Sequence, residues 1–336
     1  MKKALSLCLA VLMMFSFAAC SAADGENETT AAQTTTAQKV DVNAYVIIGP
    51  TGIGAVNLMD KAEKGEGSEN YNFTVAASPD EVVSKISNGE ADIAAVATNM
   101  ASSLYNKTKG GVKIIAVNTM GVLYVLNNKG NEVKSIADLK GRTIYTTGQG
   151  ANPQYIIEYL LTENGVDPAK DVKIEYKAEG TDLVPVWAND PEAVIIAPQP
   201  VASTINAKYE GSTQSLDLTE EWTKVSPDSA LMMGCVVVRT EFLNENPQAV
   251  EAFLSDYEQS INAVTEDIET TASLCEKYGI VAAAAVAKKA IPYCNICFVT
   301  GSEMKEQLTG YLNVLYTANP KSIGGAMPGD DFWYEK

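Results

Sequence analysis

Between Asp138 and Gly165 the chain reads DLKGRTIYTTGQGANPQYIIEYLLTENG, an order of residue types that few folds accommodate. Thr143-Ile144-Tyr145-Thr146-Thr147 is rich in β-branched and aromatic residues, which favours a short strand. Gly148 and Gly150 break it. Asn152 is suited to cap the helix that follows, with Pro153 at its first position, where a missing N–H costs nothing. Ile156, Ile157, Leu160 and Leu161 share one helical face, and Gly165 is placed to end it. The expected product is a set of free backbone N–H groups at a helix N-terminus beside a loop without side chains. Such a place suits a small polar or anionic group.

The strand–glycine–helix unit recurs. Residues 45–50, YVIIGP, read as an apolar strand, and Thr51 and Gly52 open a helical pattern through Ala55, Leu58 and Met59. GPTGIG lacks the G-x-G-x-x-G spacing, and Gly54 is followed by Ala55 rather than Lys, so neither nucleotide fingerprint is met. Pro50, Thr51 and Gly52 keep two readings, a tight connecting turn or a ligand contact. A strand at 71–77, a helix from Pro79 to Ser87 and a continuous apolar strand at 91–99 follow, the last as expected of a parallel sheet buried on both faces. Ligands of open α/β sheets lie beyond the carboxyl ends of strands, so Thr98 and Asn99 are candidates, with helix capping as their other role.

Residues 80–99 and 181–200 have equal length and the same order: an apolar helical turn, a bend at Asn88 or Asn189, and a buried strand leading to a polar end. Thr98 and Gln199 then stand at corresponding strand ends, and the loops 49–52 and 147–150 correspond as well. Two similar lobes are expected, with a cleft lined by four such ends. Its candidate ligand-binding residues are Pro50, Thr51, Gly52, Thr98, Asn99, Tyr145, Thr147, Gly148, Gln149, Gly150 and Gln199. The four loops contain no Lys, Arg, Asp or Glu, so peptide dipoles, hydroxyls and amides are expected to set the polarity of the cleft. Trp187 is a further stacking candidate, whereas Trp222 reads as core.

The extended runs 112–128 and 231–243 read as the two crossings between lobes, which makes a hinge. Lobe one is expected to take 41–128 and 237–336, and lobe two 129–236. Helices are expected at 247–266, about 268–278, 281–290 and 303–318. Arg239, on the return crossing, either reaches the site or caps the hinge. The end from Pro328 to Lys336 is expected to pack back on the body.

The lead-in from Asp138, the Gly-rich loop and the helix running into Asn164-Gly165-Val166-Asp167-Pro168 resemble the second lobe of substrate-binding proteins of ABC importers. The resemblance is to the nitrate/sulfonate/taurine/thiamine-pyrimidine group and extends more loosely over most of residues 41–320. It implies an α/β, two-lobed type II periplasmic-binding-protein fold with a two-crossing hinge. It further implies capture of a small-molecule solute, delivery to ABC permease subunits, no catalysis and no cofactor. A ligand sensor for a membrane receptor is the alternative on the same scaffold, as is an enzyme resembling the thiamine-pyrimidine synthases. Those enzymes depend on a histidine, and this chain has none. The same absence removes Ser-His-Asp and Cys-His catalysis and His-ligated zinc.

At the start, Lys2 and Lys3 precede an apolar run to Phe17, followed by Ala18-Ala19-Cys20. Residues 1–19 read as a signal peptide, and the run is too short for a membrane span. Phe17-Ala18-Ala19-Cys20 resembles a bacterial lipobox, which implies a lipidated Cys20; Phe17 stands where Leu is usual. Residues 20–40 read as a tether with little to bury. The net charge of −17 argues against nucleic acid partners. A monomer is expected, anchored outside the cytoplasm. Cys294-Asn295-Ile296-Cys297 has C-x-x-C spacing, but between apparent helices it reads as packed thiols or one structural disulfide, and no metal site is expected.

Overall fold

The computed structural model describes residues 38–76 and 78–335. The expected signal peptide, the lipidated Cys20 and nearly all of the tether lie outside the described residues.

The compact body, Lys39–Lys336, holds two sheets. The first contains β1 (Asp41–Ile47), β2 (Asn70–Ala76), β3 (Ile93–Ala97), β4 (Val112–Met120), β10 (Met232–Arg239) and β11 (Ile296–Val299), in the order β11-β4-β10-β3-β1-β2. The second contains β5 (Leu123–Asn127), β6 (Thr143–Thr146), β7 (Lys173–Tyr176), β8 (Val194–Pro198) and β9 (Thr213–Asp217), in the order β7-β6-β8-β5-β9.

The two orders repeat one plan. In the first sheet β2, β1 and β3 are parallel neighbours, and β10 runs antiparallel to β3. In the second sheet β7, β6 and β8 are parallel neighbours, and β5 runs antiparallel to β8. Each lobe therefore receives its antiparallel strand from the other half of the chain. The alignment of 80–99 with 181–200 reflects this plan, since β3 and β8 occupy equivalent places.

The sheets change hands at Gly121-Val122, between β4 and β5, and again between Asp217 and Met232. The run 112–128 is thus two strands in different sheets, and β10 lies wholly in the first. β5 belongs with the second lobe and all of β10 with the first, which shifts both boundaries from those drawn at 128/129 and 236/237.

The helices flank these sheets. On the first lie α1 (Pro50–Ile53), α2 (Val56–Glu63), α3 (Pro79–Ser87), α4 (Thr98–Thr108), α9 (Thr240–Glu245), α10 (Pro247–Glu266), α11 (Ile268–Lys277) and α12 (Ala284–Ala290). On the second lie α5 (Asn152–Glu163), α6 (Val186–Asn189), α7 (Val201–Lys208) and α8 (Leu218–Val225). α13 (Gly301–Ala318) follows β11. The apolar run of β3 is buried as both faces require: Ile93 and Ala95 enter one core, Ala94 and Val96 another.

One of these cores is shared. Val96, Val117 and Val237 of the first sheet and Leu123, Ile144 and Val194 of the second belong to a single buried cluster. α13 brings Leu308, Tyr311, Leu312 and Leu315 into it. Tyr311 lies 5.4 Å from the Trp222 ring of α8, and Trp222 lies 4.8 Å from Tyr159 of α5. Gly310 permits the approach, because a Cβ there would come within 2.7 Å of Ser229 Cβ on the return crossing. α13 thus follows a strand of the first sheet and packs on helices of the second.

The C-terminal segment docks on β4. Trp333 pairs with Ile114, the Tyr334 N–H donates to the Ile114 carbonyl, and Phe332 is fully buried. Among the described residues, no helix is long and apolar enough to cross a membrane.

Candidate functional site

A cleft of about 410 Å³ lies where the two sheets meet, bounded by the loops and helix starts of both lobes. Pro50 and Thr51 enter it from the turn after β1, Asn99 from the start of α4, and Gly150 from the loop after β6. These four candidates, from three of the four expected strand ends, are brought together.

The position of Thr51 follows from local chemistry. Gly49 takes a φ of 92°, which an L-residue resists, and its N–H donates to the Ile280 carbonyl at 3.0 Å. Asn118, buried in β4, donates through Nδ2 to the Thr51 carbonyl at 3.0 Å and to Tyr257 Oη at 2.9 Å. Burial pushes the Tyr257 phenol up, so it remains a neutral partner. Gly234 makes room for this network, since a Cβ there would lie 2.8 Å from Asn118 Oδ1.

The remaining candidates have other work. Gly52 is buried, and a Cβ on it would lie 2.3 Å from the Ile47 carbonyl, so it serves close packing. Thr98 is fully buried and donates to the Met232 carbonyl at 2.7 Å, tying α4 to β10. Gln199, 1% exposed, accepts from the Ser203 N–H and hydroxyl and so binds its own helix, α7. Tyr145 packs beside the core that holds Trp187, with Lys177 Nζ 5.0 Å from its ring centroid. Trp187 itself is buried and donates to the Ala193 carbonyl at 2.8 Å. Thr147, Gly148 and Gln149 share the loop with Gly150 but do not line the cleft. The φ of 78° at Gly148, and Pro153 Cγ 2.7 Å from where its Cβ would be, explain that glycine by backbone and packing.

The start of α5 also differs from expectation. Ala151, not Asn152, is the N-cap, and Pro153 is one residue further in. The reason lies across the cleft: Asn152 Nδ2 reaches the Met233 carbonyl of β10 at 3.5 Å. The free N–H groups expected here are largely used. Gly150 N–H donates to Gln154 Oε1 at 2.7 Å, Ala151 N–H to the Gly148 carbonyl, and Gln154 N–H to the Ala151 carbonyl.

Four of the lining residues escaped the sequence. Asn152 lines the wall. Met233, at the start of β10, lies within a run identifiable only as a crossing. Lys321 and Ser322 come from the turn after α13, about 170 residues beyond Asn152. No strand–turn–helix pattern marks that turn, and its neighbours in space come from α4. Lys321 also corrects the expectation of an uncharged cleft.

Arg239 stands at the opposite end of β10 from Met233. Its guanidinium binds Asp92 Oδ1 at 2.9 Å and Glu241 Oε2 at 2.5 Å, so it neither reaches the cleft nor caps the hinge. The four cysteines Cys235, Cys275, Cys294 and Cys297 are free thiols. No group of three or more metal-ligating side chains occurs among the described residues.

Residues 69–270 match the NMT1/THI5-like family. The chain belongs to that family. An ABC transporter protein from Parabacteroides distasonis has the same fold, with a TM-score of 0.73 at 22% identity over 88% of this chain and 99% of that one. The periplasmic aliphatic sulphonate binding protein of Escherichia coli aligns with a TM-score of 0.67 at 13% identity, covering 88% of this chain and 94% of its own. The periplasmic nitrate-binding protein of Synechocystis aligns with a TM-score of 0.53 at 15% identity, covering 72% and 66%. No curated protein matches the sequence. The fold of this family member is the two-lobed type II periplasmic-binding-protein fold, with two chain crossings between its sheets.

Proposed function

We propose that the protein is an extracytoplasmic solute-binding protein that captures a small molecule between its lobes and delivers it to the permease subunits of an ABC importer. The observation that carries this reading is the cleft itself. Thr51, Asn99 and Gly150 come from sequence positions about fifty residues apart and from both sheets, yet they meet around one space. Membership of the family and likeness to the Parabacteroides and Escherichia proteins support it. A lipidated Cys20 would hold the body at the cell surface.

The mechanism asks for no bond making. The solute binds the closed arrangement better than the open one and shifts the equilibrium by that difference alone. The crossings at Gly121-Val122 and near Leu231 are the joints. The cleft offers no histidine and no carboxylate for proton transfer, which favours binding over catalysis.

Thermal unfolding of the body, Lys39–Lys336, against a panel of small solutes tests the proposal. A true ligand at about 100 times its Kd adds roughly 2.7 kcal/mol, or several degrees for a chain this long. Thr51→Trp, which fills the cleft, should abolish the shift while leaving the unliganded melting temperature near that of the parent. A shift that survives Thr51→Trp would place the ligand elsewhere and refute the assignment.

A further inference from the structure

The two lobes touch on both faces of the second sheet, and the two contacts are of different kinds. Leu123 and Val125 of β5 face the core that α13 shares with both sheets. Tyr124 and Leu126 face the opposite way, into a cluster with Trp187 and the α7 residues Ala202 and Ile205. On that second face α7 packs against α12 of the first lobe. The chain then runs from α12 through the 3-10 turn Ile291–Tyr293 to Asn295. Along it the Tyr293 carbonyl accepts from Tyr124 Oη at 2.8 Å, with the two rings edge-on at 6.1 Å. Asn295 Nδ2 ends the run, donating to the Gly121 carbonyl of the first crossing at 2.6 Å. Residues 284–295 are thus a strap of the first lobe laid across the second.

The strap is fixed at its own end. Ala287, Ala290, Ile291 and Cys294 are buried in the core with α10 and α11. The Ala284 N–H donates to Glu276 Oε2 at 2.8 Å, and Cys294 Sγ donates to the Ala290 carbonyl at 3.2 Å. The hold on the second lobe is weaker. Among the described residues, the buried cluster around α12 contains nothing from the second sheet, and the cluster around α7 nothing from the first. Tyr293 is 47% exposed. Water can take the place of the Tyr124 and Asn295 bonds, so parting the strap exchanges hydrogen bonds at small net change. Parting α13 from Trp222 and Tyr159 would instead open a continuous apolar core.

We propose that residues 284–295 are a releasable strap. The lobes pivot on the α13 core and part on the α12–α7 face, and the bond from Tyr124 to Tyr293 is the contact that makes and breaks. The strap is engaged in this structure. Its asymmetry with α13 sets the direction of opening, which the two crossings alone leave free. This holds whatever the cleft binds, and so goes beyond the capture proposed above.

The test places pairs of spin labels on the body Lys39–Lys336 and measures the distances within each pair by pulsed electron paramagnetic resonance. Lys208→Cys with Lys289→Cys spans the strap face, and Thr162→Cys with Asn313→Cys spans α5 and α13; all four positions are exposed. The body without introduced cysteines gives the background from native thiols. Each pair is measured in the parent, in Tyr124→Phe, which keeps the ring and removes the phenol, in Asn295→Gly, and in the two combined. The ratio of long to short distances across the strap should rise about 2- to 10-fold in either single variant, the worth of one hydrogen bond. It should rise further in the double variant, while the α5–α13 pair keeps one distance throughout. A strap pair with the same distances in all four proteins overturns the proposal. So does an α5–α13 pair that lengthens together with it, because the core would then not be the pivot.

Discussion

The side-chain amide of Asn295 donates to the carbonyl oxygen of Gly121 at 2.6 Å, so the loop before β11 grips the first crossing between the lobes. The backbone doubles the grip, since the Met120 N–H donates to the Asn295 carbonyl at 3.0 Å. Asn295 pays for its position with a φ of 45°, which asparagine tolerates better than most residues. Asn295→Gly keeps the backbone geometry and removes the side-chain bond, at a cost of about 1 kcal/mol. Asn295→Ala should cost roughly 1 kcal/mol more, because alanine resists the left-handed conformation. Urea unfolding that finds all three proteins equally stable would dismiss the grip.

Gly121 is constrained from the other side as well. A Cβ there would lie 2.2 Å from Thr219 Oγ1 and 2.7 Å from Leu231 Cδ2, where the two crossings touch. Gly121→Ala is expected to lose about 1–3 kcal/mol, the usual cost of overpacking, and to alter solute affinity by displacing the joint. A variant with parental melting temperature and affinity would contradict this.

The pairing of Arg239 with Asp92 separates stability from binding. Asp92 is buried, and its Oδ2 also accepts from the Asn43 N–H at 3.0 Å. Arg239→Met leaves that carboxylate without its cation and should cost on the order of 3 kcal/mol. Solute affinity should not change, because the pair lies at the far end of β10. Calorimetry on the folded variant decides it.

The thiols predict a response to alkali. Burial pushes Cys275 and Cys297 up to about 12 from an ordinary value of 9.0, and it raises Cys235 and Cys294 in the same direction. The folded chain therefore keeps protons that the unfolded chain releases. Their contribution to stability is complete below pH 9 and declines as pH rises toward 12. Native protein at pH 8 should react slowly with a thiol reagent, and urea should speed the reaction at all four positions. Rapid labelling of Cys294 in the native state would contradict its burial.

Legibility from sequence followed the range of the interactions. α3 (Pro79–Ser87) and α10 (Pro247–Glu266) were readable because a proline start and an apolar period are local signals. The correspondence of Thr98 with Gln199 was readable because two buried strands lead to both. What they do was not: each is consumed by a bond, Thr98 to a strand 134 residues away and Gln199 to its own helix. Gly121 looked like an interior residue of one extended run, because the change of sheet depends on partners at 195–198 and 213–217. Lys321 carried no local signal at all, since its place is set by Asn99, Ser102 and Asn106.

The packing of α13 on Trp222 and Tyr159 bears on how this molecule comes apart. A lobe cut out at the crossings would expose the indole of Trp222, which is fully buried in the intact chain. Trp222→Ala in the whole protein should cost about 3–5 kcal/mol. The two halves should accordingly melt in one transition, and a fragment spanning only the second sheet should aggregate or stay unfolded. α13 thus completes the core begun by both sheets, so native protection should arrive only once that helix has left the ribosome.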